Sequence, residues 1–147
     1  LLSCMFLDKL ESFIGCKIQH IHIDALDGTI TGTEYKVPRT KYRVDGYIAG
    51  SGIVIEVLGD FWHGNPEVYK ARECNKLTGQ AFGHLLTLTF LRFDKIILSG
   101  FAVWYAWEAD IRKWCSNDTG VCRVYPDTEL YSFSKLSQIV NNRSPAS

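Results

Sequence analysis

Apolar residues recur at Leu2, Phe6, Leu10, Phe13 and Ile14 and stop at Gly15. That helical spacing, closed by the residue favoured just past a helix end, predicts an amphipathic helix over residues 3–14. Residues 17–24 alternate instead, with Ile21 and Ile23 set against His20 and His22, as in a half-buried strand. Residues 42–48 and 53–58 also predict strands, joined by the short glycine-bearing loop Ala49-Gly50-Ser51-Gly52. Residues 78–99 are densely apolar and end at Gly100, which predicts a largely buried helix, and residues 101–107 predict an apolar strand. Strand, helix, strand within one sheet requires a right-handed crossover and a parallel pairing. Beyond Trp107 the pattern predicts a short helix and loop over 108–126 and a terminal helix marked by Leu130, Phe133, Leu136, Ile139 and Val140, with a polar tail at 141–147. The expectation is an α/β fold, a mixed β-sheet flanked by helices in the order αβββαβ. It forms a single domain over 1–147, with its core at about 3–110 and a C-terminal helical extension at about 111–142.

The hairpin is the most informative segment. A four-residue loop sets Ile48 opposite Ile53, and the same register sets Asp45 opposite Glu56, with Cβ atoms ~5 Å apart on one exposed face. The other face then carries Val44, Gly46, Ile48, Ile53, Ile55 and Val57, all apolar or small. A slip of one residue would bury both acids, so this alternation fixes the register. Residues 59–66, Gly-Asp-Phe-Trp-His-Gly-Asn-Pro, predict a loop that exposes Phe61, Trp62 and His63 beside the acidic pair.

Composition narrows the classes. With 147 residues, 46% apolar and 13% aromatic, the chain can bury a sizeable core, and neither a fibre nor a disordered chain fits. No apolar run reaches the ~20 residues of a bilayer span, and residues 1–7 are too short and lack the basic start of a signal peptide. A soluble intracellular protein is expected, with no membrane partner. The absence of an initiating methionine leaves open whether the chain is a piece of a larger one. Five cysteines without paired spacing read as reduced thiols; a zinc site from Cys74, Cys115 and Cys122 with a histidine is the less favoured alternative. Sixteen basic and sixteen acidic residues cancel, which argues against coating nucleic acid by charge alone. Yet Lys36, Arg39, Lys41 and Arg43 lie close together with no intervening acid, just before Asp45. They read either as a solvated hairpin face or as a strip that contacts phosphate.

Two carboxylates held together repel each other unless a cation neutralises both. Mg2+ suits such a pair because it takes oxygen ligands, keeps several waters and bridges to phosphate. Neutral His63 nearby can take a proton from an attacking water. From geometry alone the pair reads equally as a metal site or as two surface acids offset by Arg43. Glu34 and Glu11 are further acids that can complete it.

Asp45-Gly46-Tyr47, Ile53-Val54-Ile55-Glu56 and Gly59-Asp60-Phe61-Trp62-His63-Gly64-Asn65-Pro66, followed by Gly100-Phe101 and Trp107-Glu108, resemble the very short patch repair endonucleases. That group belongs to the PD-(D/E)xK, or restriction-endonuclease-like, superfamily, whose relatives include homing endonucleases and proteins of phages and large DNA viruses. The resemblance spans about residues 8–110. It implies a Mg2+-dependent endodeoxyribonuclease, with Mn2+ as substitute, acting on DNA. Asp45 and Glu56 would bind the metal, and His63 would activate the water. Glu11 would be the glutamate of the first helix, and Phe61 and Trp62 the aromatics that wedge between base pairs. Two departures stand out. Leu58 replaces the usual lysine, so its charge must come from elsewhere, with Lys41, Arg43 and His63 as candidates and the replacement left open. Asp60 stands where a zinc-binding cysteine would, so structural Zn2+ and mismatch specificity are not implied. Loss of the lysine also keeps open a non-cleaving DNA-binding module on the same fold.

Overall fold

The computed structural model describes residues 2–126 and 130–143. Its elements are α1 (Leu2–Ile14), β1 (Ile18–Gln19), β2 (His22–Ile23), β3 (Ile30–Thr31), β4 (Tyr35–Lys36), β5 (Arg43–Val44), β6 (Gly46–Ile48), β7 (Ile53–Leu58), α2 (Asp60–His63), α3 (Phe82–Leu98), β8 (Ala102–Trp107), α4 (Glu108–Asn117), β9 (Val121–Tyr125), β10 (Leu130–Ser132) and α5 (Phe133–Arg143). Six strands form one mixed sheet in the order β1-β6-β7-β8-β9-β10, with helices on both faces. No helix among the described residues is long and apolar enough to cross a membrane.

The hairpin register is the one the loop length dictates: Ile48 faces Ile53 and Gly46 faces Ile55. β7 and β8 run parallel through the α3 crossover, with Ile53 beside Ala102 and Leu58 beside Trp107. One face of this sheet is apolar. Ile18, Ile48, Ile53, Ile55, Trp104 and Ala106 pack there under α1, α4 and α5. Trp114 stacks on Phe133 at 4.1 Å and meets Phe6 edge-on at 5.8 Å, which joins the three helices over that face.

The other face differs from the expectation. Instead of meeting solvent it is covered by α3, so Val54, Leu58, Val103, Tyr105 and Trp107 pack against Phe93 and Ile96. The expected strand 42–48 is also broken. Asp45 sits in a bend between β5, which pairs with β4, and β6, which pairs with β1 and β7. The bend carries Val44 into the α3-side cluster rather than beside Ile48. Gly46 explains the tight passage: a Cβ there would stand 3.1 Å from the Leu7 side chain and 3.2 Å from that of Ile18.

Four other expectations change. Residues 17–24 form two short strands in different sheets, and His20 is buried between them against Asp8. Residues 59–66 contain the helical turn α2 rather than a pure loop. The crossover helix starts at Phe82, after a loop pinned by fully buried Asn75, whose side-chain oxygen accepts from the Leu77 and Thr78 amides. The C-terminal extension is not purely helical, because β9 and β10 add two strands to the sheet edge. The last four residues of the expected polar tail lie outside the described residues.

Candidate functional site

The bend at Asp45 and the buried strand β7 bring two carboxylates together. Asp45 is half-buried, and its Oδ2 accepts the Val57 amide at 2.8 Å, which fixes the carboxylate across the end of the β6–β7 pairing. Glu56 is only 6% exposed. Burial first, then the charge of Asp45, push its carboxyl up to about 8, against the lowering influence of Arg92. Both groups open onto a cleft of about 310 Å³, shared with Glu34, Arg43, His63, Thr89 and Arg92.

His63 reaches this cleft through three local devices. Glu108, at the start of α4, accepts the Asp60 amide at 3.2 Å and so ties the first turn of α2 to the end of β8. Asp60 Oδ1 accepts from Asn65, a residue 2% exposed, at 2.9 Å. Gly64 ends α2 with a φ of 68°, and a Cβ there would stand 2.2 Å from the Phe82 carbonyl oxygen. Only glycine fits that close, left-handed approach, which seats α2 on the start of α3.

The imidazole of His63 meets Thr89 across this contact, with Nδ1 and Oγ1 2.9 Å apart. The Thr89 hydroxyl already donates its one proton to the Leu85 carbonyl at 3.0 Å. Thr89 must therefore accept from His63, so Nδ1 carries the hydrogen and Nε2 keeps its lone pair. Burial lowers the His63 pKa below its ordinary value; Asp45 pulls it back up and Arg92 adds to the lowering. A neutral ring with a bare Nε2 is the form a proton acceptor needs.

The other candidates divide. Glu34 lines the cleft. Glu11 does not: its Oε2 accepts the Ile18 amide at 2.7 Å, and it lines a separate hollow with Asp8, Lys17 and His20. Lys36, Arg39, Lys41 and Arg43 are all exposed on the β4–β5 hairpin, where Lys36 and Arg43 are cross-strand neighbours. Buried Val37 and Val44 anchor that hairpin, and Tyr35 stacks on Tyr47 at 4.0 Å. Trp62 is 55% exposed, but Phe61 packs edge-on against Trp62, Tyr69 and Phe82 and belongs to the aromatic cluster under α2.

Arg92 is the residue that sequence reading missed. It lies on α3, and its Nε and Nη2 both reach Glu56 Oε1 at 2.8 Å. Neither Lys41, Arg43 nor His63 makes such a contact with the pair. Its signal was a single arginine beside Thr89 and Phe93 on an otherwise apolar helix stripe. Among the described residues no group of three or more His, Cys, Asp or Glu side chains converges as a metal cage. An ion here would rest on the two carboxylates, completed by water.

No family model, no curated protein and no solved structure matches this chain.

Proposed function

We propose that this chain is a divalent-metal-dependent DNA endonuclease on a restriction-endonuclease-like core, resembling the very short patch repair enzymes. The observation that carries the reading is the buried carboxyl of Glu56 beside Asp45, at the floor of a cleft edged by an exposed basic hairpin. A fold keeps two carboxylates in contact at such a burial cost only where protons or a cation offset their repulsion. An all-oxygen pair with room for water fits Mg2+ or Mn2+ and not a zinc cage.

Asp45 and Glu56 would hold the ion, with Glu34 at the edge of the same cleft. When bound, it supplies polarisation of a phosphoryl oxygen and stabilisation of the leaving oxygen. His63 takes the proton of the attacking water at Nε2, while Thr89 holds the ring through Nδ1. Lys36 and Arg43 bind backbone phosphates on either side of the cut, and Trp62 stacks on a base or base step.

Purified protein with plasmid, branched and mismatched duplex DNA tests this. Cleavage that requires Mg2+ or Mn2+ and falls at least about 10³-fold in the Asp45→Asn variant is expected. Equal cleavage by the wild type and the Asp45→Asn, Glu56→Gln double variant would overturn it.

A second reading has one observation in its favour: Leu58, where relatives carry lysine, is 3% exposed and belongs to the core. On that reading the fold binds DNA without cutting. Calorimetry separates the two, because a binding module takes up DNA but not millimolar Mg2+ or Mn2+.

A further inference from the structure

With Leu58 buried, β7 offers no cation beside Glu56. The charge comes from across the core. Arg92 donates its Nε–H to Glu56 Oε1, its Nη2 lies 2.8 Å from the same oxygen, and Nη2 donates to the Arg43 carbonyl. Its guanidinium lies over the Tyr42 ring, 5.1 Å from the centroid. These three contacts fix the plane of the group and link the acidic pair to the basic hairpin. A guanidinium has five N–H bonds in a rigid fork. The two on Nη1 donate to no described residue, and the side chain, 33% exposed, lines the cleft beside His63.

A held guanidinium with an unused edge, in a cleft that Arg43 also lines, is matched to a tetrahedral oxyanion. A lysine ammonium could balance the charge of Glu56, but only the planar fork leaves a second donor edge while the first is held.

We propose that Arg92 is the phosphate-binding cation of this site, gripping a non-bridging oxygen of the scissile phosphodiester with its Nη1 edge while its Nε/Nη2 edge holds Glu56. The proposal rests on the endonuclease reading. It identifies Arg92 as a catalytic residue that touches substrate, and it locates on helix α3 the charge that Leu58 does not provide.

The test uses the full chain and a short duplex containing a linkage that the wild type has been shown to cut. Single-turnover rates are compared for wild type, Arg92→Met, Arg92→Lys and Asp45→Asn. Each is measured on the normal linkage and on resolved Rp and Sp phosphorothioates. Arg92→Met is expected to slow cleavage about 10²-fold with the DNA dissociation constant within about threefold of wild type, as for loss of one donor aimed at developing charge. Arg92→Lys should recover only part of the rate, since a point donor cannot hold both partners. One phosphorothioate should slow the wild type yet make little further difference in Arg92→Met, because the bond it weakens is already gone. If both variants cut at the wild-type rate, Arg92 has no role. If they slow but keep both phosphorothioate effects in full, Arg92 acts only through Glu56. Either result overturns the proposal while leaving the nuclease reading intact. Arg92→Met protein that melts well below wild type is assayed with added guanidinium ion. Failure of that ion to restore any rate, with Arg92→Lys inactive but folded, also counts against it. A wild type no more active than Asp45→Asn would instead remove the nuclease reading itself.

Discussion

Ile55 and Glu56 are consecutive residues of one strand, only 2% and 6% exposed, on opposite faces of the same sheet. Ile55 enters a layer made of aliphatic and aromatic side chains from α1, α4 and α5. Glu56 enters a layer where α3 brings Arg92 and Thr89, and where His63 and Asp45 stand at the rim. The first face gains stability from area removed from water, in amounts that do not depend on pH or ions. The second holds charge in a dry place, a state that folding tolerates only with protons, partners or an ion present. One face builds the fold and the other uses it.

The largest effect should come from the apolar face. Ile55→Ala leaves a cavity among side chains fixed by three helices and is expected to destabilise the chain by about 4 kcal/mol, equally at pH 5 and pH 8. Urea unfolding at both values measures this, and a strong pH dependence of the loss would blur the contrast between the faces.

Glu56→Gln should do the opposite. Folding raises the Glu56 carboxyl from its ordinary 4.5 to about 8, so the folded chain favours the protonated form. The stability this contributes is complete below about pH 4.5 and is lost as the pH rises towards 8. Without divalent ions, the variant should match wild type at pH 4.5 and be more stable at pH 8, by an amount on the order of 3 kcal/mol. Millimolar Mg2+ should raise the wild-type melting temperature at pH 8 and leave the variant nearly unmoved. The difference between the two proteins removes the contribution of Asp110, another buried acid whose pKa is raised by burial.

Thr89→Val tests the rim at smaller scale. Valine keeps the shape but cannot accept from His63 Nδ1, so the ring is free to take the other tautomer. Cleavage kcat should fall about tenfold with KM unchanged, and Thr89→Ser should restore it. Unaltered kcat in the Thr89→Val variant would remove His63 from the proposed proton transfer, or Thr89 from its orientation.

How much of this was visible in the chain itself follows the same division. The hairpin register was legible because a four-residue loop and the set Gly46, Ile48, Ile53, Ile55 admit one pairing. The parallel crossover to β8 was legible from strand, helix and strand in sequence. The bend at Asp45 was not, because the partners that divide the strand there, β4 on one side and β1 and β7 on the other, come from other parts of the chain. Burial of Glu56 was misread for a related reason. Alternation says that Glu56 and Ile55 point apart, but not that a helix some thirty residues later covers the second face. Arg92 sat inside an apolar run whose period announces a core helix, and nothing local tells a side chain aimed at an acid from one that reaches solvent. β9 and β10 were missed because they are short and lack clear alternation, their place being set by the edge that β8 exposes.

The smallest expected change in stability belongs to Trp62, where the second face reaches solvent. Its ring is 55% exposed and touches Phe61 edge-on at 5.2 Å, so Trp62→Ala should alter folding free energy by less than about 0.5 kcal/mol. Its effect on DNA should be larger, about tenfold weaker binding, because stacking on a base contributes about 1–3 kcal/mol. Phe61→Ala should show the reverse balance, since its partners Tyr69 and Phe82 are part of the packing under α2. Melting curves and DNA titrations of the two variants, side by side, decide which of these adjacent aromatics serves the fold and which the ligand. Equal losses of affinity with equal losses of stability would mean that the string Phe61-Trp62-His63 acts as one structural unit, and that no separate stacking residue is present at the rim.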